Sequence, residues 1–210
     1  MPMPYSQRQQ IETLLRAAGI HPGMTARAAV PASVRAADPA TDEGAKTGME
    51  WVLSTELPAT VFDWERWDFV SEILLADGME VPAAGQVPLL DSHSRYSVKD
   101  VLGHVDGFGS GVFDGYSGRT GRCHFAADTD SQTAKQKVAD RHITDGSVGY
   151  QVLGSIWVPE GTEVAIDGRT FVGPLKVSRK WALKEFSITP IGADVLAKVR
   201  LLCGSLPHHI

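Results

Sequence analysis

The chain has 210 residues, 43% of them hydrophobic, which suffices for one well-cored domain with an appendage and is too little for two full domains. Its formal net charge is -5 with the charges interspersed, so no basic run offers an electrostatic footprint for DNA or RNA, and direct nucleic-acid binding is not expected. Its 2 cysteines, Cys123 and Cys203, stand far apart without a CxxC or Cys/His spacing, which argues against a disulfide framework and reads as reduced thiols in a cytosolic setting.

The N-terminal MPMPYSQRQQ lacks the apolar core of a secretory signal. No apolar stretch approaches the ~20 residues a membrane helix needs, so no membrane partner is expected. Ser6 and Gln9 fit a capping box, and Ile11, Leu14, Leu15 and Ala18 recur at helical spacing before Gly19, which predicts a short amphipathic helix within residues 1–21. Residues 22–48 are rich in Ala, Pro, Thr, Asp and Gly and cannot bury enough surface to offset ordering entropy, so a flexible linker is expected. Its small residues also suit a self-cleavage segment, although an inert linker is the simpler reading. The main domain is expected at 49–200, with a C-terminal tail at 201–210.

From Trp51 onward, short apolar runs separated by turn residues predict strands at Trp51–Ser54, Ala59–Phe62, Val87–Leu90, Val98–Val105 and Gly121–Ala126. Asp77-Gly78 and the glycines at 107, 109, 111, 115, 118 and 121 read as turns. Residues 128–142 favour a helix beginning near Thr129 or Asp130. A strand with Ser147, another through Ile156 to Val158, a hairpin at Asp167-Gly168 and a strand bearing Glu185 complete a β-rich α+β pattern. The expected architecture is a closed or partly open β-barrel of about six to seven strands flanked by a few helices.

Three segments carry chemistry: VPLLDSHSRYSV around His93, HITDGSVGYQV around Ser147 and WALKEFSITPIGAD around Glu185. A histidine, a serine and a carboxylate in such segments offer a base, a nucleophile and an acid that orients the base. Alternation along a strand turns Val148, Tyr150 and Val152 to one face and Ser147, Gly149 and Gln151 to the other. By the same count Glu185, Ser187 and Thr189 share the face opposite Phe186 and Ile188, so Ser147 and Glu185 both lie on polar faces. Gly149 is expected to leave open space in which a substrate backbone adds as a strand. Asp91 and Asp145 compete with Glu185 as the orienting acid, since each lies two residues from His93 or Ser147 and also suits a turn cap. His104, His124 and His142 read as ordinary surface or core histidines, with His142 a candidate for lining the site. The tryptophans 51, 64, 67, 157 and 181 read as core or edge packing.

The PLLDSH, DGSVGY and KEFSITPIGAD segments, in that order, resemble those of the prohead proteases of tailed phages, whose fold is akin to that of herpesvirus assemblin proteases. The resemblance spans roughly Met49 to Val199. It implies His93 as base, Ser147 as nucleophile and Glu185 as the base's partner, in a cofactor-free serine endopeptidase working through an acyl-enzyme. It implies as substrates the major capsid protein with its scaffold segment, the chain itself by autoproteolysis, and the portal as a further candidate. The implied setting is the host bacterium's cytoplasm, inside the assembling procapsid. Herpesvirus relatives carry a second histidine in place of Glu185 and dimerise, so a homo-oligomer is an open expectation. They also use arginines shortly after that position to bind the oxyanion; Ile191, Gly192, Ala193 and Asp194 offer none, which leaves the Gly192 and Ala193 amides as candidates.

Two other classes compete. One is a catalytically inactive scaffold or capsid-assembly protein with the same fold. The other is a metal-dependent hydrolase built on His93, His104, His124 and His142, whose spacing matches no HExxH-like pattern.

Overall fold

β-Branched and aromatic runs bounded by turn residues become strands here because their side chains pack on a pleated, half-buried surface. The computed structural model describes residues 48–190 and the backbone of residues 25–26. In chain order the elements are β1 (Thr25–Ala26), β2 (Met49–Thr55), β3 (Ala59–Asp63), β4 (Asp68–Leu74), β5 (Met79–Glu80), β6 (Val87–Asp91), β7 (Val101–Phe113), β8 (Tyr116–Phe125), α1 (Thr129–Ala139), β9 (Asp145–Val158), β10 (Glu163–Ile166), β11 (Arg169–Val172) and β12 (Leu175–Thr189). The predicted N-terminal helix, the C-terminal tail and the Gly192 and Ala193 amides lie outside the described residues.

Ten strands form one mixed sheet whose main path runs β1-β9-β12-β6-β7-β8-β2. The fold is therefore β-rich α+β, with one α-helix among the described residues. Its spine is β12. One edge of β12 pairs antiparallel with β9, from Leu175↔Val158 to Thr189↔Asp145. Its other edge takes three parallel partners end to end: β4 at Lys176–Ser178, β5 at Trp181–Ala182 and β6 at Phe186–Ile188.

Of the expected closed or partly open barrel of about six to seven strands, the closed form needs correction. The main path ends on β1 and β2, which do not pair with each other, so no closed barrel forms among the described residues. Physically, short strands are used up in succession along a single edge of β12 instead of each adding a rung toward closure. The sheet still curls, since Trp51 of β2 packs edge-to-face on Phe186 of β12 with centroids 5.5 Å apart.

The glycine-dense stretch is also not a series of turns. Gly109, Gly111, Gly118 and Gly121 lie inside the β7–β8 ribbon, and the actual turn is Asp114-Gly115, with φ of 50° and 85°. A Cβ at Gly118 would stand 2.8 Å from the Ser54 carbonyl oxygen, and one at Gly121 would press on Val105 and Leu53 at 2.8 and 2.9 Å. These glycines therefore admit close neighbours. The run from Val98 divides likewise: Ser97 and Asp100 form a capping box around a 3-10 turn at Val98–Asp100, and the strand starts at Val101.

Other expectations hold. The helix begins at Thr129, with Asp128 accepting from the Ser131 N–H. Asp167-Gly168, both at positive φ, joins β10 to β11. Trp51 and Trp181 are core residues, while Trp64 and Trp67 pack against Phe62 at the β3–β4 turn. The main core gathers Trp51, Leu53, Leu89, Val105, Val148, Tyr150, Trp181, Leu183, Phe186 and Ile188 under α1, which contributes Ala134 and Val138. Cys123 belongs to it as a free thiol, pushed well up from its ordinary pKa by burial and then by the Asp106 charge, and so chemically quiet.

Asp63, at the end of β3, holds Lys176 of β12 at 2.8 Å, with both side chains largely buried. Burial alone would push the Asp63 carboxyl up. The Lys176 hydrogen bond, the Arg66 amide, the Lys176 charge and the Glu65 amide outweigh it, and the net displacement is downward. Stability from this group is thus present above the ordinary carboxylate range and lost as pH falls through the lowered folded-state value. Asp63→Asn is expected to cost roughly 1–3 kcal/mol near pH 7. Urea titrations should show the gap to the parent protein closing in strong acid; an equal gap at both pH values would refute a charge-based contribution.

Candidate active site

Glu185 and Ser187 project from one face of β12 just after a register shift between Leu183 and Glu185. Directly opposed residues of an antiparallel pair share a face. Glu185 faces Gly149 and Ser187 faces Ser147, while Phe186 faces Val148 on the core side. The polar side predicted from alternation is therefore real, but it is not solvated: Ser147 is 3%, Glu185 2% and Ser187 0% exposed.

His93 arrives from the opposite edge of β12. Strand β6 stops at Asp91, and Ser92 and His93 then adopt left-handed backbone conformations, φ 47° and 62°. Each such non-glycine residue costs on the order of 1–3 kcal/mol, a strain that persists only where surrounding contacts enforce it. Here the Ser92 N–H donates to the Ile188 carbonyl at 3.0 Å and the Ser94 N–H to the Asp91 carbonyl at 2.8 Å. The His93 N–H donates to Ser187 Oγ at 3.0 Å. The bend turns the imidazole onto β12, where Nδ1 meets Glu185 Oε1 at 2.6 Å. Ser187 Oγ donates to the other oxygen, Oε2, at 2.7 Å. An ionised carboxylate only accepts hydrogen bonds, so against one Nδ1 is the donor, and in the neutral ring Nε2 is then the nitrogen left to accept.

His93 and Glu185 are thus brought into contact, and Ser147 stands one strand over on the same face. The carboxylate on His93 belongs to Glu185, whereas Asp91 accepts the Ser92 hydroxyl at 2.8 Å and Asp145 accepts the Thr144 hydroxyl at 2.9 Å. His142 is exposed after α1, with its N–H on the Lys137 carbonyl. The four histidines of the metal-hydrolase reading do not form one cluster: among the described residues the group that gathers is His104, His124 and Asp106.

Gly149 has a different use from the one expected. A Cβ there would stand 2.0 Å from Glu185 Oε1 and 2.6 Å from its Cδ, so the missing side chain makes room for the carboxylate and not for a substrate backbone. Ser187 was placed on the right face by alternation but given no role. Its neighbours in sequence carry no sign that its hydroxyl would link the His93 backbone to Glu185.

A strand of the chain itself lies on the outer edge of β9. Thr25 and Ala26, inside the stretch expected to be a linker, pair antiparallel with Tyr150 and Gly149, a few residues from Ser147. No protein-family model, no curated protein and no solved structure matches the chain. Chemically, the site offers an imidazole hydrogen-bonded to a buried carboxylate, a serine on the adjoining strand and a sheet edge on which an extended segment of the chain pairs.

Gly149→Ala is expected to displace Glu185 from His93. In ¹⁵N NMR the His93 ring should lose its fixed Nδ1–H form, as it should in Glu185→Gln, while the methyl spectrum of the core stays native. An unchanged imidazole signal in Gly149→Ala would refute this dependence.

Proposed function

We propose that the chain is a serine endopeptidase in which Ser147 is the nucleophile, His93 the general base and Glu185 the group that orients His93. The observation that carries this reading is the His93 Nδ1–Glu185 contact, held by strained backbone on the face Ser147 shares. Backbone strain and a buried acid–imidazole pair together favour function over packing, since a purely structural histidine needs neither.

In the proposed reaction, Ser147 Oγ attacks the peptide carbonyl as His93 Nε2 takes its proton. Glu185 stabilises the imidazolium while negative charge develops on the carbonyl oxygen. His93 then protonates the departing amine, leaving an acyl-enzyme. Water, deprotonated by the same nitrogen, cleaves the ester and restores Ser147. Ser187 is a positioning residue, because it touches the His93 backbone and Glu185.

The substrate would bind extended along β9, as Thr25–Ala26 does. By the family resemblance the substrates are capsid and scaffold segments inside a phage procapsid, and the chain itself. The finer fold expectation, a herpesvirus-protease-like sheet wrapped around the core, belongs to the same proposal.

The test is intact-mass analysis of the chain produced with the capsid protein that accompanies it. The parent chain should shorten the capsid protein, and self-cleavage should fall in the segment around Thr25–Ala26. Ser147→Ala should abolish both. Glu185→Gln should slow processing on the order of ten-thousand-fold while remaining folded. Unchanged processing by Ser147→Ala would reject the nucleophile and favour an assembly protein that undergoes cleavage by another enzyme.

A further inference from the structure

A second cluster of metal-ligating side chains lies on the β7–β8 ribbon, built from residues the proposed reaction does not use. His104 and His124 stand directly opposite each other in the ladder, and Asp106 follows His104 by two positions on the same face. The two rings stack with centroids 4.7 Å apart and planes 12° from parallel. His124 Nε2 lies 2.8 Å from Asp106 Oδ1, and His104 Nε2 lies 3.9 Å from Asp106 Oδ2. One ligand atom from each residue fits within a mutual separation of 4.8 Å. Donors at ~2.0–2.2 Å from a tetrahedral zinc ion stand ~3.3 Å apart, so modest side-chain rotations would close the set.

The surroundings favour this use. The side chains are 41% (His104), 40% (Asp106) and 19% (His124) exposed, which leaves a route for an ion and room for water as a further ligand. The register is continuous from Gly103↔Phe125 through His104↔His124 and Val105↔Cys123 to Asp106↔Arg122, so the donors sit on regular ladder positions. Cys123 points into the core and is not a donor. Arg122 stands opposite Asp106 but lies over Gly48, where a Cβ would meet its Cγ at 2.2 Å and His124 Cε1 at 2.9 Å. Among the described residues it forms no ion pair with Asp106. Two imidazoles with one carboxylate suit a borderline transition-metal dication and are a poor match for magnesium or calcium, which prefer all-oxygen shells.

We propose that His104, Asp106 and His124 form a three-ligand site for a transition-metal dication of the zinc class, which staples β7 to β8. The test uses the full chain, with zinc and cobalt(II) chlorides as probes, read by calorimetric titration, cobalt absorption and thermal unfolding. Expected are one equivalent of zinc at this site and a rise in unfolding temperature with zinc concentration. His104→Gln and Asp106→Asn should each weaken binding at least about tenfold. Because His208 and His209 near the C-terminus can also bind metal, the double variant His208→Gln, His209→Gln is the control, and it should bind as the parent does. Absence of zinc binding by the parent chain, or binding that survives in His104→Gln and Asp106→Asn, would overturn the proposal. Both substituted side chains lie outside the hydrophobic core, and if one variant fails to fold the other decides the matter.

Discussion

A carboxylate taken out of water must find hydrogen-bond donors or lose its charge, and Glu185 meets that demand from two directions. The imidazole of His93 supplies one donor and the hydroxyl of Ser187 the other. A Cβ at Gly149 would stand 2.0 Å from Glu185 Oε1, so a side chain there would force the carboxylate to shift. The arrangement of the three neighbouring strands follows: β9 must present a glycine, β12 must carry the acid with a serine two positions on, and the chain leaving β6 must bend through two left-handed residues. The strain at Ser92 and His93 is offset by hydrogen bonds to Ile188 and Ser187, both on β12. Loss of the imidazole would leave the acid poorly compensated, so the pair is as much a structural clamp as a candidate for chemistry.

A second buried carboxylate shows that burial alone does not mark a reactive site. Glu72 on β4 is fully enclosed, takes hydrogen bonds from Tyr150 Oη and from Ser178 Oγ, and has Lys176 Nζ 3.8 Å away. These donors tie β4 to β9 and β12 without a strained backbone or an imidazole. Lys176 also binds Asp63, so the network fixes the β3–β4 hairpin against the spine. What distinguishes Glu185 is the partner it holds, a ring with one nitrogen engaged and the other able to accept a proton.

The parts of the fold legible in the sequence were those set by local chemistry. Alternation placed Ser147 and Glu185 on matching faces, Asp128 marked the helix start, and Asp167-Gly168 marked a two-residue hairpin. What escaped was set by pairing across distance. The parallel seating of β4, β5 and β6 along β12 depends on where each short strand finds an unfilled stretch of edge, which periodicity does not encode. The glycines of β7 and β8 carry the same letters as turn glycines, and only the neighbours that press on them, Leu53, Val105 and Phe113, reveal the difference. The meeting of His104 with His124 likewise rests on a hairpin register containing a shift between Asp106 and Gly109, which the residue types do not announce.

The edge of β9 brings protection and binding into competition. An exposed strand edge is a template for pairing with any extended chain, so folded proteins cover it. Here two residues from the protein's own N-terminal region do so, next to the strand position of Ser147. Among the described residues the pairing consists of Thr25↔Tyr150 and Ala26↔Gly149, and each such pair must offset the ordering of the residues that make it. In the proposed reaction a substrate peptide would compete with Thr25–Ala26 for this edge. The edge nearest Ser147 is thus covered by the chain itself, with the Glu185–His93 pair across β9 from it.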